Sequence, residues 1–105
     1  MKRILLESTP HEGLKNGTHL DVEVYYTQGG ANFLSGGVTP RGYYLSVKPV
    51  NRAGGFVSNI LFTGLGKLLL QTTRFSEKQF AQAVELGRAA APEMIERLLK
   101  EERAA

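Results

Sequence analysis

His19-Leu20-Asp21-Val22-Glu23-Val24-Tyr25-Tyr26-Thr27 is the stretch from which the fold is read. Apolar and polar residues alternate strictly through its first part. A β-strand sends successive side chains to opposite faces, so Leu20, Val22, Val24 and Tyr26 point inward and His19, Asp21, Glu23, Tyr25 and Thr27 outward. Such a strand belongs to an antiparallel sheet covered on one side only. A second strand of the same kind runs from Tyr43 to Val50, with Tyr43, Leu45 and Val47 inward and Tyr44, Ser46, Lys48 and Val50 outward. Pro49 has no N–H for a ladder, which places it at an edge or where the strand ends.

Outward from these two strands the chain is punctuated by turns. Ile4 to Leu6 makes a short first strand, and the residues from Ser8 to Gly17 read as loop. Gly29-Gly30 and Gly36-Gly37 bracket Ala31 to Ser35, a short strand or a loop. Asn51-Arg52-Ala53-Gly54-Gly55 reads as a hairpin turn, Phe56 to Thr63 as a strand, Gly64-Leu65-Gly66 as a tight turn and Lys67 to Thr73 as a last strand. The last two are apolar on both faces, which predicts a central position in the sheet or contact with a partner subunit.

Phe75-Ser76-Glu77-Lys78-Gln79-Phe80 starts a helix. Ser76 with Gln79 three residues on forms a capping box, and Phe75 with Phe80 a hydrophobic staple. Phe80, Val84, Gly87, Ala91, Met94 or Ile95, and Leu98 then recur at helical spacing as one apolar stripe. Pro92 lies within the stripe and predicts a kink or a break; because the phase of the stripe survives it, a kink is favoured. The expected fold is therefore α+β. A four- to five-stranded antiparallel β-meander (residues 1–75) precedes a long, Pro-kinked C-terminal helix (76–104), in a single domain spanning 1–105.

Composition bounds the function. At 105 residues the chain has the size of one domain, and zero cysteines exclude disulfides, thiol nucleophiles and thiolate metal sites. No apolar run approaches the length of about 20 residues needed to cross a bilayer, and Glu7 interrupts the N-terminal run too early for a secretory signal; a cytoplasmic protein is expected. The two histidines, His11 and His19, could join Asp21, Glu23 or Glu12 around a metal, but alternating polar residues on a solvent face explain them better. Gly64-Leu65-Gly66-Lys67 lacks the first glycine and the magnesium-binding hydroxyl of a phosphate loop. No serine sits in an activating motif. No catalytic residue, metal or cofactor is expected, and the protein is read as a non-enzyme.

Charge is distributed unevenly. Between Val24 and Ser76 stand Arg41, Lys48, Arg52, Lys67 and Arg74 and no acid, whereas all ten acids lie outside that stretch. The same stretch, which includes Tyr25, is rich in aromatic rings. Cations suit phosphates and rings suit unpaired bases, so a basic, aromatic sheet face is the chemistry that holds single-stranded nucleic acid. Tyr25, Arg41, Tyr44, Ser46, Lys48, Arg52 and Lys67 are the expected contact residues. The competing expectation is a protein-interaction or inhibitor module using the apolar Ile60-Leu61-Phe62 strand or an exposed sheet edge.

Three segments carry a resemblance to a known family. Tyr44-Leu45-Ser46-Val47-Lys48 resembles the early strand, Gly66-Lys67-Leu68-Leu69-Leu70 the last strand and Ser76-Glu77-Lys78-Gln79-Phe80 the helix start of the whirly-type single-stranded DNA-binding domains of the positive cofactor four family. The resemblance implies binding of single-stranded DNA or RNA, backbone contacts from Lys48 and Lys67, and a homodimer formed with the helices involved. The chain as a whole resembles small proteins carried by mobile elements of Firmicutes.

Overall fold

The computed structural model describes residues 2–12, 14, 17–31, 37–51 and 64–103. The main sheet contains β1 (Arg3–Pro10), β2 (His19–Thr27), β5 (Gly42–Val50) and β6 (Leu65–Gln71) in the order β1-β2-β5-β6, every neighbouring pair antiparallel. β3 (Gly30–Ala31) and β4 (Val38–Thr39) form a separate two-stranded ribbon between β2 and β5. One helix, α1 (Glu77–Arg103), follows the sheet. The architecture is α+β, an antiparallel sheet and one long C-terminal helix.

The alternation in β2 and β5 builds the core. Val24, Tyr43, Leu45 and Val47 are fully buried, and Leu20 and Val22 nearly so. Phe80, Ala83, Ala91, Met94 and Leu98 of the helix stripe meet them. Gly87 lies in the middle of that contact, where a Cβ would stand 2.6 Å from Val24 Cγ2; the helix sits this close only because residue 87 has no side chain. Alanine would favour the helix intrinsically, by about 0.8–1.0 kcal/mol, but a methyl here collides with a stiff β-branched residue on a central strand.

The helix start is built as a cap, with one partner changed. Ser76 Oγ accepts the Gln79 N–H at 3.0 Å, and the Phe75 and Phe80 rings meet edge to face with centroids 6.0 Å apart. Gln79 does not reach back to the Ser76 N–H as a capping box would require. That N–H donates to the Tyr43 hydroxyl at 2.9 Å, while Gln79 Oε1 lies 3.1 Å from the same hydroxyl and 2.8 Å from Thr72 Oγ1. A core tyrosine thus couples the central strand to the helix N-terminus. Replacing Ser76 with alanine should cost about 1 kcal/mol in chemical denaturation; an unchanged midpoint would show that the cap is not used.

Several boundaries differ from expectation. β1 extends to Pro10 because Ser8, Thr9 and Pro10 pair with Asp21, Leu20 and His19, so part of the expected loop is strand. β6 starts at Leu65, and Gly66 pairs with Ser46 instead of turning. β6 pairs directly with β5 and is the last strand of the described sheet. Leu69 and Leu70 both pack on the core, while Leu68 is 37% exposed. The expected strand Phe56–Thr63, the turn at Asn51–Gly55 after its first residue and the Ile60-Leu61-Phe62 surface lie outside the described residues. α1 continues through Pro92 as a single helix, so the proline does not split it.

Candidate nucleic-acid interface

Among the described residues, α1 is the one element that packs across the main sheet, and it does so on the face of Leu20, Val24 and Leu45. Paired residues in neighbouring strands share a face, so the register reads out the opposite side row by row. Thr27, Gly42 and Gln71 form one row. Arg3, Tyr25, Tyr44 and Leu68 form the next, crossing all four strands. Leu5, Glu23, Ser46 and Gly66 follow, then Ser8, Asp21 and Lys48.

The second row is the most ordered feature of this face. The Tyr25 and Tyr44 rings stack with centroids 5.7 Å apart and an interplanar angle of 20°, and the Arg3 guanidinium lies 5.1 Å from the Tyr25 centroid. Tyr44 donates its hydroxyl proton to the Pro40 carbonyl at 2.6 Å, which pins the ring's outer end. Burial raises the Tyr44 phenol above its ordinary pKa, with the Tyr25 phenol adding to the effect. The neutral phenol is then the form the fold favours. Stability linked to this group should be complete below about pH 10 and decline as pH rises through the higher folded value, because the unfolded chain loses its proton first. An ultraviolet titration of the tyrosines in the wild type and in Tyr44→Phe checks this: the component removed by the substitution should ionise above the free-tyrosine range.

Charge on this face is balanced by acids. Glu23, 7% exposed, accepts a hydrogen bond from Arg3 Nη1 at 2.8 Å through one oxygen and holds Lys48 Nζ at 3.3 Å from the other. Asp21, 3% exposed, accepts a hydrogen bond from Ser8 Oγ at 2.6 Å. The stretch from Val24 to Ser76 is free of acids along the chain, but the sheet is not. β2 lies between β1 and β5, so its acids stand among the basic residues of its neighbours.

Of the expected contact residues, Tyr25, Tyr44, Ser46 and Lys48 come together here. Arg41 stands just before β5 and is tied by Nη1 to the Thr73 carbonyl at 2.6 Å and by Nε to the Gln28 carbonyl at 3.4 Å. Arg52 falls outside the described residues. Lys67 is opposite Leu45, on the helix-bearing side of β6, which corrects its expected position. The cause is a bulge. Tyr43 pairs with Leu70 and Tyr44 with Leu68, so Leu69 is an extra residue that reverses the alternation. Gln71 beyond it does reach the open face, and Lys67 before it does not.

Arg3, Leu5, Glu23 and Leu68 belong to the face and were not among the expected contact residues. Glu23 could have been found, since alternation alone puts it beside Tyr25. Arg3 and Leu5 had no such signal, because their facing depends on the pairing of β1. On the other side of the sheet, Leu6, Glu7, Val22, Arg88, Ala91, Pro92 and Ile95 line a hollow of about 200 Å³ between β1 and α1. Among the described residues no group of three or more His, Cys, Asp or Glu side chains is placed to hold a metal, and no helix is long and apolar enough to cross a membrane. No protein-family model, curated protein or solved structure matches this chain.

Proposed function

We propose that the sheet face opposite α1 binds single-stranded nucleic acid, DNA or RNA, with bases laid on the Tyr25–Tyr44 pair and the sugar-phosphate backbone running past Arg3, Ser46 and Lys48. The observation that carries this reading is the transverse row Arg3-Tyr25-Tyr44-Leu68, two stacked rings with a guanidinium at one end, on the side of the sheet away from the helix. Rings in strands usually belong to the core, as Tyr43 does here. A stacked cross-strand pair turned away from the core helps hold the sheet together, and it also offers unpaired bases a surface to stack on, because every base presents a flat face.

The test is a fluorescence-anisotropy titration with a single-stranded oligonucleotide at low salt. Tyr44→Ala should weaken binding by about 5- to 150-fold, corresponding to about 1–3 kcal/mol for one stacked base. No binding by the wild type would remove the proposal.

A second reading has its own support. Leu5, 47% exposed, and Leu68, 37% exposed, flank the tyrosines, so the face also carries an apolar stripe that a protein partner could cover. Binding of that kind would be insensitive to salt and to oligonucleotide competition.

A further inference from the structure

From the bridge across three strands we infer that Glu23 acts as an internal substitute for phosphate on this face, holding Arg3 and Lys48 so that recognition rests on bases more than on backbone charge. The inference depends on the nucleic-acid reading above and adds the residue that sets its specificity.

Three observations meet at Glu23. First, both carboxylate oxygens are engaged, one by Arg3 at 2.8 Å and the other by Lys48 at 3.3 Å. Each is a diagonal contact, since Arg3 is registered opposite Tyr25 and Lys48 opposite Asp21. Long side chains span that diagonal, and here both lean toward the same acid. Second, exposure is graded: the Glu23 side chain is 10% exposed, Lys48 30% and Arg3 60%. The cations cover the carboxylate and remain reachable from solvent themselves. Third, the bridge lies one row from the stacked tyrosines, so a base on Tyr25 or Tyr44 brings its own phosphates to these same two cations.

A phosphate has the charge and paired oxygens to take the carboxylate's place, but it must compete with a group already fixed there. Each phosphate neutralised by a free cation contributes about −0.7 to the slope of log affinity against log salt for a single strand. With Glu23 present, Arg3 and Lys48 contribute little of this. Stacking, which depends on unpaired bases, is left as the main source of affinity.

The experiment measures that slope with a single-stranded oligonucleotide for the wild type, Glu23→Gln, Lys48→Gln and the double variant. Glutamine preserves shape and an acceptor for Arg3 while removing the charge. Glu23→Gln should tighten binding at low salt and steepen the slope by about 0.7 to 1.4, one or two further phosphates. Lys48→Gln alone should leave the slope nearly unchanged, and the double variant should be shallower than Glu23→Gln by about 0.7. A bridge of structural value only would lower the melting temperature of Glu23→Gln without moving the slope, and that result overturns the inference while leaving the nucleic-acid reading in place. If Glu23→Gln fails to fold, Lys48→Gln and Arg3→Gln decide: a slope made shallower by about 0.7 in either would show a cation already serving phosphate. Absence of any binding by the wild type removes both the reading and the inference.

Discussion

Replacing Tyr43 with alanine should destabilise the protein by about 3–5 kcal/mol, a large part of the roughly 5–15 kcal/mol that holds a domain of this size together. Tyr43 is fully buried. Its ring contacts those of Tyr26, Phe75 and Phe80 at centroid separations of 5.4, 6.1 and 6.0 Å, so truncation opens a cavity in an aromatic cluster. Its hydroxyl also accepts the Ser76 N–H, one of the donors that a helix start leaves without an internal partner. Tyr43→Phe separates the two contributions, retaining the ring and removing the hydroxyl, and should cost about 1–3 kcal/mol for the groups left unsatisfied. Chemical denaturation of both variants measures the difference. A loss below about 1 kcal/mol for alanine would contradict the core described here.

The second large effect is expected beyond the proline. Leu98 is fully buried and lies six residues past Pro92 on the same stripe as Phe80 and Ala91. Leu98→Ala should cost about 2–5 kcal/mol if the last turns of α1 are held on the sheet. The measurement is again a denaturation midpoint, with far-ultraviolet circular dichroism to show that helix content is retained. An effect near zero would mean that packing ends at the proline. Pro92 lies on the exposed side of α1, and the core-facing residues on either side, Ala91 and Met94, remain buried.

These two predictions sit at opposite ends of what could be read from the chain. The strands 19–27 and 43–50, their inward residues and the stripe of α1 were legible because burial on one face imposes a period on the sequence, two in a strand and 3.6 in a helix. The start of α1 was legible for a different reason: capping uses residues close in sequence. Only the far half of the box was misread, since the Ser76 N–H is met by Tyr43, thirty-three residues earlier. That substitution depends on the packing of β5 against the helix start and leaves no local trace.

The candidate face divides in the same way. Tyr25, Tyr44, Ser46 and Lys48 share it because alternation within β2 and β5 puts them there. Lys67 left it because Leu69 is inserted into the ladder, and a single extra residue exchanges the two faces of everything before it. Arg3 joined it through the pairing of β1 with β2, which no periodicity in the bulged first strand reveals. Charge divides too: alternation in β2 turns Asp21 and Glu23 outward beside Tyr25, but that Arg3 and Lys48 stand next to them depends on the pairing of β2 with β1 and β5, segments separated from it in sequence.

Periodicity and capping are properties of consecutive residues, and from them the chain alone settles an antiparallel sheet, a single covering helix and the side of each strand that enters the core. Register, bulges and strand order arise only when distant segments pair. It was therefore the folded protein that decided which cations stand beside the tyrosines, and that Glu23 holds two of them.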